Sequence, residues 1–489
     1  MRNVSTFNWD TVFAAPINII NQAINHQQTS PKVFEKYIPA DDFIPDATVT
    51  GNFDSWEIIP GGSGKIVKMS LPVTDFTYTR SDKPNQPLKI KKLAYHIEVK
   101  LVYLTHPEQE KEAITKKQLK IRTYGLSNTD PAVVSTNIIY QNEDVEVDGS
   151  GIIPSPEMIK GFVDASLMMW LNEHLDQFVH VFNTVNLNNY IDDEEPWQWA
   201  RPSYVDYAYS EPIENATCEN SVLGVLCMTD GRKGDLQEQA VDAQAIPKGS
   251  QSGFLIHEKR LLEEVILPTI PKQFPSTELE DFELHESISD NGFYQYAVRL
   301  KADKNIILEE QKQEGITFTP IIEQLEIKLV DQEVQMYTYT RANLPSNASA
   351  TCETTHFYKI KLSEKRDGKQ TLEYVEAREP ITVHHEYEGD MPTIIDWIIG
   401  IGVALVGIIV GIATGTIGYV VAVVVAFLLA GGLALAYGIA HNINSVDAPS
   451  IGMLLDNTTS QVIWNAADVF KIEQAGLVGP LQLGGSLTL

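Results

Sequence analysis

The residues able to do chemistry are few and poorly arranged for it. His384, His385 and Glu386, with Glu388 and Asp390 downstream, could supply metal ligands. Adjacent residues of an extended segment point to opposite faces, however, so the two imidazoles do not readily meet one ion. The acidic run Asp192, Asp193, Glu194, Glu195 lacks the alternate spacing and the glycine of a calcium loop and reads as a solvated charged loop. PGGSGK at 60–65 resembles the end of a phosphate loop, but Ile59 stands where that motif needs glycine and Ile66 where it needs Ser or Thr. A strand pattern comes after it rather than a helix, so it reads as a hairpin turn. Glu263 and Glu264 beside Lys259 and Arg260 read as ordinary surface pairing on a helix. Cys218, Cys227 and Cys352 are an odd number at spacings that make no disulfide framework. Free buried thiols are the expectation, with a cross-strand Cys218 to Cys227 bridge as the alternative. Neither a G-x-S-x-G elbow nor an H-E-x-x-H helix occurs. The expectation is a protein with no catalytic set, no metal and no cofactor other than a bound lipid or fatty acid.

Charge narrows the partners. The 489-residue chain carries a formal net charge of −28, with 37 basic against 65 acidic side chains. Nucleic-acid affinity comes mainly from Lys and Arg neutralising phosphates, so no nucleic acid is expected as partner. The first twenty residues, MRNVSTFNWDTVFAAPINII, show no continuous apolar stretch of export-signal type, which predicts cytoplasmic synthesis and a non-classical exit route.

The elements that would position any site fall into two series. Val12, Phe13, Ile17, Ile20 and Ile24 recur at helical spacing, predicting an amphipathic helix over 7–28 with Asp10 as its cap. From 46 to 147 the pattern becomes alternating, as in Tyr95, Ile97, Val99 and Leu101 against His96, Glu98 and Lys100, which predicts a long bent antiparallel sheet. Ser155-Pro156 then offers a capping hydroxyl and a proline at the first helical position. The helix starting there would turn Met158, Phe162, Leu171, Leu175 and Phe178 to the core. Strands resume around 197–230, and 231–251 reads as a polar mobile loop.

A second series repeats the order. SGFLIHEKRLLEEVILPTIPKQF predicts a second long helix with Leu255, Leu262, Ile266 and Ile270 on one face. Strands continue to about residue 388, then come an apolar tract and a C-terminal helix. The reading is therefore α+β, pseudo-duplicated, with halves 1–230 and 252–489 joined by 231–251. The seam between each helix and its curved sheet is the candidate lipid groove.

FNWDTVFAAPINIINQAI, SGFLIHEKRLLEEVILPTIPKQF and QVIWNAADVFKIEQAGLVGPLQLGGSL together resemble the P-forty-seven and OrfX-type proteins, encoded beside botulinum-like neurotoxins and in bacterial insecticidal toxin loci. The resemblance runs in order along nearly the whole chain. It implies a tubular lipid-binding (TULIP) fold, in which curved sheets wrap long amphipathic helices. It also implies a non-enzymatic accessory role with a toxin or with sibling proteins of the same cluster, in a protein made in the bacterial cytoplasm and released from the cell. The family offers no agreed lipid-contacting residues, so the candidate groove residues rest on pattern alone.

One stretch stands apart. Residues 397–440 contain no Asp, Glu, Lys, Arg or His. They divide at TGTIG into two runs, each near the roughly 20 residues that cross a bilayer as a helix. Trp397, Tyr419 and Tyr437 lie near run ends as interfacial aromatics do, Val403 and Phe427 sit within the runs, and Gly407 with Gly411 would let two helices approach closely. Three readings stay open: a helical hairpin that inserts into a membrane on a trigger, a hairpin kept buried as part of the core, and a permanent anchor. Flanking positive charge that would orient an anchor is nearly absent. The partners expected are a lipid or membrane and cluster siblings, with the chain either a lipid-binding accessory, a membrane-inserting or pore-forming toxin subunit, or an assembly protein docking its hairpin on a sibling.

Overall fold

The computed structural model describes residues 4–40, 45–105, 114–147 except 128, 154–188, 197–288 except 275, most of 294–385, and then 401–410, 421–429, 434–435 and 451–487 except 466–469. The chain opens with β1 (Thr11–Pro16) and α1 (Ile17–Gln27). Then come β2 (Val33–Ile38), β3 (Ala47–Phe53), β4 (Glu57–Ser63), β5 (Ile66–Arg80), β6 (Leu88–Thr105), β7 (Ile114–Ile121), β8 (Val133–Tyr140) and β9 (Val145–Val147). The helix α2 (Pro156–His174) is next, and β10 (Asn183–Asn188), β11 (Tyr204–Ser210) and β12 (Val222–Met228) complete the first series.

Strands β2 to β10, together with Val462–Trp464 from near the end of the chain, form a ten-stranded antiparallel sheet. Along β6 every inward position from Leu93 to Leu101 is buried, as the alternation predicts. The sheet is bent where β5 gains a residue against β3 between Thr50 and Asn52. The extra residue is Asp75, at φ 55°, and Asn52 Nδ2 donates to its carboxylate at 3.2 Å. A bulge increases local twist, and here it turns the sheet over α2. That helix starts as predicted: Pro156 is its first residue and Met158 N donates to Ser155 Oγ at 3.3 Å.

The second series runs β13 (Ser252–Ile256), α3 (Glu258–Arg260) continuing as a π-helical turn over Leu261–Ile266, α4 (Ile270–Gln273), β14 (Phe282–Ile288), β15 (Tyr294–Leu300) and the short β16 (Ile306–Ile307), β17 (Gln311–Gln313) and β18 (Ile316–Phe318). It goes on through β19 (Pro320–Val330), β20 (Glu333–Leu344), β21 (Ala348–Glu364), β22 (Gln370–His385), β23 (Ile401–Val410), β24 (Val421–Leu429) and β25 (Ala434–Leu435). The chain closes with α5 (Ile451–Asn457), β26 (Val462–Trp464), β27 (Phe470–Leu477) and β28 (Leu481–Leu487). β26 joins the first sheet by pairing with β10. A second sheet takes the order β14-β15-β19-β20-β21-β22, and β23, β24 and β25 make a small third one.

A six-stranded sheet ordered β11-β12-β1-β13-β28-β27 gathers strands from the start, middle and end of the chain. It corrects three expectations. Residues 11–16 are a central strand with all six residues buried, and the helix starts only at Ile17, with Pro16 at its N-cap. Thr11, Val12 and Phe13 favour a strand buried on both faces, and proline is compatible with a helix start but not with its interior. Residues 252–256 are likewise a strand, and the helical run after them starts only at Glu258, changing from α to π over Leu261–Ile266, to a 3-10 turn over Leu267–Thr269 and back to α over Ile270–Gln273. After the apolar tract a helix does form, but it spans only Ile451–Asn457, and the segment beyond it is the β27–β28 hairpin. Gly485 permits its closeness: a Cβ there would lie 1.9 Å from Lys471 O.

Residues 231–251, expected to be mobile, form a packed cover. Val241 and Ala245 are buried against Trp9, Val12, Ala14, Leu226 and Leu255 on the outer face of the six-stranded sheet. Trp9 Nε1 donates to Glu238 O at 2.8 Å, tying the cover to the N-terminal segment.

Candidate functional site

The inner face of the first sheet meets α2 through Ile159, Val163, Leu167, Trp170 and Leu171, all buried. Around this row runs a chain of aromatic rings. Tyr78 stacks on Phe162 at 4.8 Å, Trp170 meets Phe53 at 5.2 Å and Phe34 at 6.2 Å, Phe53 meets Trp56 at 5.4 Å, and Trp56 stacks on Phe178 at 5.0 Å with planes 10° apart. Beyond them Phe13 holds Trp464 at 5.9 Å and Phe470 at 5.2 Å, so the end of the chain packs against its beginning. Aromatic pairs at these separations contribute beyond their buried area, and here they line the seam between helix and sheet.

The predicted groove residues divide against this background. Leu171, Leu175 and Phe178 are buried, as are Leu262, Ile266 and Ile270, and all six lie in the same continuous core, with Phe162 half-buried at its margin. Met158 is 55% exposed: the buried row of α2 is one position further along, at Ile159 and Val163. Leu255 belongs to the separate cluster under the 231–251 cover. The sequence reading did not single out Trp56, Trp170, Phe34 or Phe53, although the density of aromatics flanking Trp56 and the placement of Trp170 one turn before His174 were visible in it. His180 sits in this region, 1% exposed, with Nδ1 at 3.0 Å from Thr29 Oγ1. Burial pulls its pKa down to about 4, so it is neutral.

Where the two series meet, charges are buried. Asp10, expected as a helix cap, instead accepts Thr229 N at 2.7 Å, Thr229 Oγ1 at 3.0 Å and Arg232 Nη2 at 2.5 Å. Burial raises its pKa, opposed by Arg232. Arg260 is 3% exposed and bonds Glu263 at 2.8 Å, Glu264 at 2.9 Å and Asp230, while its guanidinium lies 5.1 Å from the Trp199 ring centre. The surface pairing expected there is thus a buried ion network, because β12, the Asp230 turn and the π-turn converge on one guanidinium. Next to it burial lifts Glu258 to about 7 and lowers His257 to about 4. His257 Nδ1 accepts Lys259 N at 3.0 Å, capping α3.

The remaining chemical candidates lie apart from one another where they are described. The 60–65 stretch is the β4–β5 turn, with Gly61 at φ 115° donating its N–H to Glu211 Oε2 at 2.7 Å. Cys218 and Cys227 are free thiols, and burial pushes Cys227 up to about 12 and raises Cys218 as well. No group of three or more His, Cys, Asp or Glu among the described residues could hold a metal. His384 and His385 end β22, opposite Cys352 and Thr351. Glu386, Glu388, Asp390 and 192–195 lie outside the described residues.

In the apolar tract, β23 and β24 pair antiparallel, with Val403 opposite Phe427, and Gly407 falls at a register irregularity between Val406 and Ile408. The helical hairpin expected here is a strand pair where it is described. Valine and isoleucine dominate both segments, and β-branched side chains favour strands. β23 lies against β20, β21 and β22. Among the described residues no helix is long and apolar enough to cross a membrane. Trp397, Gly411, Tyr419 and Tyr437 lie outside the described residues.

Comparison with known proteins agrees over the full length. The sequence model of the family described as "OrfX-like: Protein OrfX2/OrfX3/P47" matches residues 6–485. The chain is 37% identical over 497 residues to Protein OrfX3 of Clostridium botulinum (strain Kyoto / Type A2), covering 99% of this chain and 98% of that protein. It is 35% identical to Protein OrfX3 of Paraclostridium bifermentans, covering 100% and 99%. Its fold matches the structure of P47 from Clostridium botulinum A2 with a TM-score of 0.58 at 15% identity, covering 99% of this chain and 98% of that one.

Proposed function

The chain belongs to the OrfX-like family of OrfX2, OrfX3 and P47 proteins, and from that premise we propose that it is a non-catalytic, lipid- or membrane-interacting accessory component of a bacterial toxin system. In this reading the fold is of TULIP type, the protein leaves the bacterium by a non-classical route, and the membrane contact is conditional. The apolar interior around α2, Leu262, Ile266 and Ile270 takes an acyl chain, and the 397–440 tract makes the contact. The observation that carries the reading is the tract itself: 44 residues without a charged side chain in a chain of net charge −28. So much apolar surface must be covered in water. Where the tract is described, its strand β23 lies beside β20, β21 and β22.

A pore-forming reading is favoured by one feature. β23 and β24 are 10 and 9 residues long, and a tilted strand crosses the hydrocarbon core in about 9–11. A lone hairpin leaves open edges in lipid, so several copies would have to close a barrel.

Liposome flotation at neutral and mildly acidic pH tests the proposal, with the full chain beside a 397–440 deletion and the variant Val424→Asp. Flotation of the full chain that both changes abolish is the expected result. A full chain that stays in the aqueous fraction at both pH values overturns it. Release of entrapped dye, rather than flotation alone, selects the pore-forming reading.

A further inference from the structure

On the outer side of the six-stranded sheet, the 231–251 cover stops short of the 211–220 loop, and an open groove of about 760 Å³ lies between them. Its accessible apolar surface comes from Phe7 and Pro212 together with Ile246 and Pro247 on the cover side, above the buried Pro16 and Val222. Ile213 stands on the opposite lip, 99% exposed. Among the ionisable residues lining it, four are carboxylates (Glu211, Glu214, Glu219 and Asp242) and one is a cation (Lys248), so 1 − 4 gives −3.

These carboxylates divide by role. Glu211 is held by Gly61 N and the Tyr209 hydroxyl, both at 2.7 Å, and Asp242 by Ser5 N at 3.1 Å and Gln244 N at 2.9 Å. Both therefore shape the walls. Glu214 and Glu219 are exposed and form no ion pair with a basic side chain among the described residues. An apolar floor with an exposed isoleucine at its lip and unneutralised carboxylates on its rim is half of an interface, and its complement has both apolar and cationic side chains.

We infer that this groove docks a basic, extended peptide segment of a partner protein, with its apolar side chains on Phe7, Ile246 and Ile213 and its lysines or arginines against Glu214 and Glu219. Charge complementarity selects the occupant. Anionic lipid headgroups and nucleic acid are repelled by the rim, and a second copy of this chain brings a surface of the same sign. The site is on the face away from α2 and does not rest on the lipid reading.

Fluorescence anisotropy with a labelled decapeptide of five lysines, three leucines and two alanines tests this, beside the same peptide with glutamate for lysine. The full chain binds the lysine peptide and not the glutamate one. Glu214→Gln with Glu219→Gln weakens binding about fivefold, and Ile213→Asp weakens it further, as loss of a lip contact should. The pair Glu35→Gln and Glu143→Gln, on exposed residues elsewhere, leaves it unchanged. Equal weakening by both pairs marks adhesion to general negative charge and overturns the proposal, as does absence of binding at low salt. Concentration-dependent dimerisation that Ile213→Asp abolishes makes a second copy the occupant and overturns it as well.

Discussion

Asp10 and Thr229, 219 positions apart in sequence, are joined twice: the threonine amide and hydroxyl both donate to one carboxylate oxygen, at 2.7 and 3.0 Å. The bond pair locks the entry of β1 to the exit of β12, and Arg232 neutralises the buried charge. Removing the carboxylate strands that guanidinium beside the already cationic Arg260.

Asp10→Ala is therefore expected to destabilise the protein by about 3 kcal/mol, because breaking one side of a buried pair costs more than the pair contributes. Asp10→Asn keeps an acceptor for Thr229 and costs less. Urea unfolding of the purified variants checks the order; equal midpoints for wild type and Asp10→Ala would refute it.

Trp170 and Met158 sit on the same helix and answer differently. Trp170→Ala opens a cavity amid Phe34 and Phe53 and should cost about 3–5 kcal/mol. Met158→Ala, at an exposed site, should stay within about 0.5 kcal/mol. Thermal unfolding of the two variants distinguishes this helix orientation from one with Met158 inward.

His257 and Glu258 respond to acid in opposite senses. Glu258 has its folded pKa raised to about 7 from an ordinary 4.5, so its burial penalty is present above 7 and relieved as the pH falls toward 4.5. His257 has its folded pKa lowered to about 4 from 6.5, so it contributes stability above 6.5 that is lost as the pH falls toward 4. The groups around them are Lys259, which also lies over Tyr296, Glu286, Arg232 and Arg260. Acidification thus strengthens one residue's contribution while weakening its neighbour's. Glu258→Gln should remove the gain, leaving a protein whose stability falls from about pH 6.5 downward more steeply than that of wild type. Urea midpoints across that window measure it, and parallel curves for the two proteins would refute it.

Gly485→Ala should be severe. Its Cβ would meet Lys471 O at 1.9 Å, backbone that cannot swing aside, so the β27–β28 hairpin must open. A loss of about 3 kcal/mol or more is expected, seen as protease cleavage near 470–487. A variant as resistant as wild type would show that the hairpin tolerates the added methyl group.

Alternation made most of the sheet readable. Tyr95, Ile97 and Val99 are buried as their spacing requires, and Ser155-Pro156 marks the start of α2 to the residue. Misreadings arose where apolar residues stand on both faces. β1 has no wet face, so Val12, Phe13, Ile17 and Ile20 mimic a helical stripe across a strand joined end to end with a helix; Pro16 was the signal. On α2, Met158, Phe162 and Met169 offer a second apolar row, and only the partners Phe34 and Phe53 decide which row turns inward. Arg260 was legible as a helix cation with acidic neighbours but not as a buried one, because Asp230 and Trp199 reach it from distant parts of the chain. The apolar tract was legible by length and lack of charge, whereas its valine and isoleucine content carried the strand preference.

The six-stranded sheet also sets an order of events during synthesis. β1 leaves the ribosome long before residues 470–487, which supply two strands of its sheet. Pairings of such long sequence separation form slowly, since the chain must close a large loop before they reward it. The uncharged 397–440 stretch is already outside the ribosome by then. Until those residues arrive, β13 has one edge bare beside an uncharged stretch of chain, a combination prone to aggregate. Adding β27 and β28 therefore closes that edge, and a host that makes this protein must shelter the nascent chain until residues 470–487 arrive.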